Sequence, residues 1–198
     1  MSYEEFLDWL DEDTRAEWVD GQVIPMSPAS RDHQTIFGFL LKVLSEFAAE
    51  HDSGEVIPAP FQMKLPVRPS GREPDVLFVA KHRCDLIHDT YLDGPADLVV
   101  EVISKESRGR DTLDKHEEYE RSGVREYWLV DPERREFTLF RLKGRRFVEG
   151  RLSRGRFQSD VLPGLWLDVE WLWRKPPPTL QAVLRAWHQA AGDAMPGQ

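Results

Sequence analysis

The chain of 198 residues has a single cysteine, Cys84. That excludes an internal disulfide framework and a cysteine-rich zinc centre. No apolar run approaches the ~20 residues needed to span a membrane. The N-terminus, Met-Ser-Tyr-Glu-Glu-Phe-Leu-Asp-Trp, is acidic and lacks the basic start and apolar centre of a signal peptide. A cytoplasmic protein without membrane association is expected. Internal repeats and low-complexity stretches are absent as well. Positive charge is scarce: 26 Lys and Arg stand against 35 Asp and Glu, a net charge of −9, which argues against a generic nucleic-acid binder.

The scarcity is uneven. Between Arg141 and Arg156 there are seven basic residues and one acid, a local charge of +6 that leaves −15 for the remainder. One reading is a solvated hairpin kept soluble by arginine. The other is a phosphate-contacting ribbon on an acidic body, with Arg145, Arg146 and Arg151 as its nucleic-acid-binding residues.

The length suits one domain with a full core. Pro176-Pro-Pro178 marks a boundary, so residues 1–175 form the expected domain and 176–198 a proline-led short helix and tail. Along the chain, an amphipathic helix is expected over Tyr3–Leu10 and a hairpin over Arg15–Met26, turning at Asp20-Gly21. Apolar residues at helical spacing from Gln34 to Glu50, after the cap candidate Ser30, give the clearest helix. Glu55–Pro66 reads as an extended edge segment, and Val67–Glu73 as a turn-rich loop. A helix is expected from Asp111 to about Arg121, then a strand over Val124–Asp131 with Tyr127 and Trp128 in the core. A second hairpin turns at Lys143-Gly144. This alternation predicts an α/β fold with one central mixed sheet flanked by helices.

Two short apolar runs, Pro74–Ala80 and Asp97–Ile103, read as buried strands, yet each carries a carboxylate: Asp75 at the start of the first, Glu101 inside the second. An unpaired buried carboxylate costs several kcal/mol, and a cation resolves that cost. On neighbouring strands the two side chains can share one end of a sheet and offer hard oxygen ligands to Mg²⁺ or Mn²⁺. Lys115, on the helix that follows, can return over the strand ends and set an ammonium beside an attacking water. Two carboxylates and a lysine of this kind form a metal-dependent phosphodiester-cleaving site. Asp111 shares the helical face of Lys115 and is an accessory candidate; the alternative for that pair is an exposed ion pair. His33, at a helix start, can donate to phosphate or to a carboxylate, or else face solvent. Lys105, in the loop after the second strand, is expected not to be catalytic.

Pro74-Asp75, Glu101-Val-Ile-Ser104, Asp111-x-x-x-Lys115 and Gly123-Val-x-Glu-Tyr-Trp-Leu-Val-Asp-Pro132 resemble the Uma2 family, grouped with the PD-(D/E)xK nucleases. Glu17-Trp-Val-Asp-Gly21 and Met26-Ser-Pro-x-Ser-x-x-His33 extend the likeness to about residues 3–170. The resemblance implies a restriction-endonuclease-like core with extra β-hairpins, Mg²⁺ dependence and metal-binding carboxylates at Asp75 and Glu101. It also implies Glu17 as an outer ligand or orienter. Ile103 stands where the general nuclease motif has its lysine, and Lys115 resembles the migrated lysine of the Uma2 pattern. The expected function is Mg²⁺-dependent endonucleolytic cleavage of DNA, with DNA as partner and a homodimer admissible. Two alternatives remain: a catalytically silent nucleic-acid- or protein-binding module on the same fold, and a hydrolase of a smaller phosphate ester.

Overall fold

The computed structural model describes all residues except 12, 13, 27, 68, 105–109 and 194–198, and for 110–112 and 191–193 the backbone alone. In chain order the elements are α1 (Tyr3–Trp9), β1 (Ala16–Val19), β2 (Gln22–Pro25), α2 (Arg31–Glu50), β3 (Gly54–Pro58), β4 (Gln62–Leu65), β5 (Ser70–Arg72) and β6 (Val76–Ala80). A 3₁₀ turn (Lys81–Leu86) leads to β7 (Tyr91–Asp93), β8 (Leu98–Val102), α3 (Arg110–Ser122), β9 (Glu126–Asp131), β10 (Glu136–Lys143) and β11 (Arg146–Leu152). The chain ends with β12 (Arg156–Gln158), β13 (Trp166–Asp168), a 3₁₀ turn (Val169–Trp173) and α4 (Leu180–Asp193). The fold is α/β, with mixed sheets flanked by helices.

The strands divide between two main sheets. One has six strands in the order β11-β10-β9-β8-β6-β3, the other five in the order β2-β1-β5-β4-β7, and β12 and β13 form a separate ribbon. The pairs β8–β9 and β4–β7 are parallel and the others antiparallel. Alternation along the central strands explains the layering. Leu98, Val100 and Val102 of β8, with Val76 and Phe78 of β6, pack with Leu40, Val43 and Leu44 of α2. Leu77 and Val79 of β6 and Val99 of β8 face the opposite way, toward Tyr119 of α3 and Met63 and Leu65 of the five-stranded sheet.

Local chemistry sets the elements. In α1, Ser2 and Glu5 form a reciprocal capping box, and Ser30 accepts a hydrogen bond from the His33 amide at the start of α2. Asp20 (φ 49°) and Gly21 (φ 82°) make the turn between β1 and β2. The second hairpin pairs Lys143 with Arg146, so Gly144 at φ 65° opens its turn one residue later than the sequence suggests. The Glu55–Pro66 segment divides: β3 forms an edge of the larger sheet, while β4 enters the smaller one between β5 and β7. Val67–Glu73, expected as loop, contributes β5. Tyr127 and Trp128 are buried, as their strand pattern predicts.

In the segment after Pro176, Trp187 of α4 packs edge-on against Phe47 of α2 at 5.3 Å and donates from its indole nitrogen to the Trp166 carbonyl at 2.8 Å. Among the described residues, no helix is long and apolar enough to cross a membrane.

Candidate active site

Asp75 immediately precedes β6 and Glu101 lies inside β8. Val76 pairs with Val100 in the antiparallel register of these strands. Asp75 is one residue before Val76 and Glu101 one residue after Val100, so the next step of the register sets the two carboxylates opposite each other. Both belong to the alternating set that faces α3 and the smaller sheet. One oxygen of Asp75, Oδ2, accepts from the Val102 amide at 2.7 Å and lies 3.2 Å from Nε2 of His33.

α3 covers this end of the sheet. Lys115, Glu118 and Tyr119, spaced three and four apart, share the helix face turned to the site. The Lys115 ammonium lies 2.9 Å from Oε1 of Glu17 and 3.0 Å from Oε1 of Glu101. The Tyr119 hydroxyl donates to the same Glu101 oxygen at 2.8 Å. Lys115 is only 6% exposed, which sets aside the surface ion pair as its main role. The Asp111 side chain and the whole of Lys105 lie outside the described residues.

The smaller sheet supplies a third wall. Glu17 of β1 uses its second oxygen, Oε2, to accept from Nη1 of Arg72 at 2.8 Å. Arg72 also donates to Glu118 from Nε at 3.0 Å and from Nη2 at 2.7 Å, and Ser70 hydrogen-bonds the other oxygen of Glu118. Glu73, next to Asp75's strand, accepts from Arg15 at 2.6 Å and from Gln62 at 3.2 Å.

The electrostatics of this cluster are unbalanced. Five carboxylates, Glu17, Glu73, Asp75, Glu101 and Glu118, converge with three permanent cations, Arg15, Arg72 and Lys115. Among the described residues acids outnumber cations here, in a largely buried space, a costly arrangement in low dielectric. Burial, with the charges of Asp75 and Glu17, pushes Glu101 up to about 7, although Lys115 and the Tyr119 hydroxyl pull it down. Glu17 behaves oppositely: burial works to raise it, but Lys115 and Arg72 together hold it below the ordinary carboxylate range. Tyr119 is driven well above an ordinary phenol by burial and by Glu101.

A divalent cation suits this donor set. Among the described residues, Oδ1 of Asp75 and Oε2 of Glu101 have no protein hydrogen-bond partner, whereas the other oxygen of each carboxylate is held. Two hard oxygens in an acid-rich setting match an ion such as Mg²⁺, which takes one or two carboxylates and keeps several waters. No group of three or more His, Cys, Asp and Glu side chains forms a metal cage among the described residues.

A sequence profile of the Uma2 family, described as "Putative restriction endonuclease", matches residues 3–170. The chain belongs to the Uma2 family. Among solved structures, it is similar to one described as a "putative nuclease belonging to DUF820" from Anabaena variabilis. The likeness has a TM-score of 0.75 at 13% identity and covers 87% of this chain and 97% of that one. At that identity the likeness is one of fold. No curated protein matches the chain. The Uma2 match spans every element that builds the cluster, from Glu17 in β1 to α3.

Of the residues singled out from sequence, this Uma2 chain brings Glu17, His33, Asp75, Glu101 and Lys115 into one cluster. The arginine hairpin stands elsewhere, beside the C-terminal half of α3. There Arg146 pairs with Glu120 at 2.8 Å, and Arg151 with Glu149 and, at 3.6 Å, with Glu136. Arg141 and Lys143 both reach Asp160, at 3.1 and 2.8 Å. Much of the local +6 is thus answered by acids of the same chain, whereas Arg145 is exposed and has no ion-pair partner among the described residues. Sequence reasoning passed over Arg72, Glu118 and Tyr119. The last two were reachable through their helical spacing from Lys115; Arg72 gave no local signal.

Proposed function

We propose that the protein is a Mg²⁺-dependent endonuclease that hydrolyses DNA phosphodiester bonds, with Asp75 and Glu101 as metal ligands and Lys115 as the catalytic cation. The observation that carries this reading is the pair of opposed carboxylates, each with one oxygen held and one without a hydrogen-bond partner among the described residues, with the Lys115 ammonium against Glu101. When bound, a divalent ion would neutralise the phosphate and make a water more nucleophilic.

The chain's own groups prepare the rest. The Val102 amide and His33 fix Asp75 from one side, so its other oxygen has a set direction. Lys115 and Tyr119 do the same for Glu101. An ammonium at that position favours hydroxide over water beside it and offers a donor to a non-bridging phosphate oxygen, a preorganised electrostatic contribution to catalysis. Glu17 shares Lys115 with Glu101 and keeps the ammonium in place when Glu101 engages a cation.

The test is cleavage of supercoiled plasmid with Mg²⁺ or Mn²⁺, with EDTA, and with Asp75→Asn and Glu101→Gln. Nicking or linearisation that needs the ion and disappears in both variants is the expected result. Cleavage that persists in both would place the chemistry elsewhere. A wild-type protein that hydrolyses only small phosphate esters would overturn DNA as the substrate.

A further inference from the structure

Arg72 is 2% exposed and comes from β5, outside the two strands that carry the metal-binding carboxylates. Its guanidinium joins two other elements: Nη1 donates to Glu17 of β1 at 2.8 Å, while Nε and Nη2 donate to Glu118 of α3 at 3.0 and 2.7 Å. Glu118 lies one helical turn after Lys115, and Glu17 is, with Glu101, one of the two carboxylates among the described residues that hold the Lys115 ammonium. Arg72 therefore touches Lys115's helix on one side and Lys115's carboxylate partner on the other.

We infer that Arg72 is the positioning residue of the active site: its guanidinium fixes the Glu17 carboxylate and the α3 backbone together, and so sets where the Lys115 ammonium stands. The inference rests on the nuclease reading for its catalytic consequence and on geometry alone for the placement of Lys115.

Three physical points support this assignment. Stability alone is a poor reason for the arrangement, because buried ion pairs seldom outperform well-packed apolar residues of similar volume. The geometry needs a planar fork able to bond two carboxylates at once, which arginine offers and lysine, a point charge, does not. The base is also rigid: a Cβ on Gly71, the preceding residue, would come within 2.4 Å of the Tyr3 ring and 3.0 Å of Gln62 Oε1, so β5 is pressed tightly between its neighbours. A guanidinium projecting from so constrained a strand has little freedom to drift.

Electrostatics adds a second effect. Glu17 gives one oxygen to Arg72 and the other to Lys115. Arg72 thus fixes one oxygen of Glu17 and turns the other toward the ammonium. Without Arg72, Glu17 loses one of the cations that orient it and holds Lys115 in place less firmly.

The experiment compares the wild-type full chain with Arg72→Ala, Arg72→Lys and Glu118→Gln in two assays. The first is Mg²⁺-dependent plasmid cleavage resolved into kcat and KM, with and without added guanidinium chloride and with sodium chloride at equal ionic strength as control. A positioning role predicts a kcat lower by about 10²-fold in Arg72→Ala at little-changed KM. Guanidinium should restore part of that loss and sodium chloride should not; Arg72→Lys should remain impaired. The second assay, independent of turnover, measures acetylation of Lys115 by acetic anhydride in the metal-free protein by peptide mass spectrometry. Lys115 should be protected in the wild type and severalfold more reactive in Arg72→Ala, while the exposed Lys143 reacts equally in both. Wild-type kcat in Arg72→Lys, or unchanged Lys115 protection in Arg72→Ala, would overturn the assignment. If Arg72→Ala does not fold, Glu118→Gln decides: it keeps the guanidinium and its bond to Glu17, and kcat and Lys115 protection should both fall severalfold; unchanged values reject the inference. A wild-type protein that does not cleave DNA refutes the nuclease reading, and the acetylation result then judges Arg72 by itself.

Discussion

Asp75 and Glu101 occupy opposed positions at the end of β6 and β8, one step beyond the paired residues Val76 and Val100. Their mutual repulsion is visible in Glu101, whose carboxyl is raised to about 7 by burial first and by the Asp75 charge among the further causes. Two acids placed in this way are a fault in an apolar sheet and an asset in a cation site.

Metal binding should follow directly. In isothermal titration with Mg²⁺ or Mn²⁺, the wild type is expected to bind with release of protons below pH 7, since Glu101 must ionise to coordinate. Asp75→Asn and Glu101→Gln should each abolish measurable binding, and EDTA should abolish cleavage. Binding that survives both substitutions would remove these residues as ligands.

The same carboxyl makes a stability prediction with a definite sign. A group whose folded pKa is about 7, against an ordinary 4.5, takes up more protons in the folded state between those values. Stability of the metal-free protein should therefore fall as pH rises from about 4.5 to 7 and then level off, with a contribution of order 3 kcal/mol from Glu101. Urea denaturation at several pH values measures this. Glu101→Gln should flatten the slope, and saturating Mg²⁺ should remove most of it by stabilising the ionised form.

Lys115 should matter for stability as well as for turnover. An exposed helix lysine contributes little, but this one is buried between Glu17 and Glu101. Lys115→Met is expected to abolish cleavage and to cost about 3 kcal/mol in the metal-free protein at pH 8, because the buried Glu101 then loses its cation and Glu17 keeps Arg72 alone of the pair that holds it. The cost should shrink at pH 6, where Glu101 is protonated. A variant that cleaves normally would exclude Lys115 from the chemistry.

The hairpin arginines should not be equivalent in DNA binding. Arg145 has no acidic partner among the described residues, whereas Arg151 pairs with Glu149 and Glu136. Arg145→Gln is expected to reduce the slope of log K against log salt by about 0.9, the value for one phosphate contact on duplex DNA. Arg151→Gln should change it much less, since its charge is already answered within the hairpin. Fluorescence anisotropy on a labelled duplex across a salt series distinguishes the two; equal effects would mean that the hairpin ion pairs break on binding.

Local pattern determined much of this protein. The hairpin at Asp20-Gly21, the amphipathic α2, the helix bearing Lys115 and the apolar strands of Asp75 and Glu101 were legible because turn residues, caps and periodicity act within a few residues. An acid inside a valine-rich strand marked a candidate site for the same reason: its burial cost is a local property. Only the tertiary structure decided what the acids meet. Pairing of β6 with β8 set Asp75 against Glu101, and the approach of the five-stranded sheet to α3 joined Arg72 to Glu17 and to Glu118 across separations of 55 and 46 residues in sequence. The arginine-rich stretch shows the same limit from the other side. Its charge was plain in the sequence, but folding delivered Glu120 and Asp160 to Arg146, Arg141 and Lys143. Charge composition is additive along a chain, whereas an ion pair exists only where the fold brings two charges within a few ångströms, and no local pattern encodes that distance.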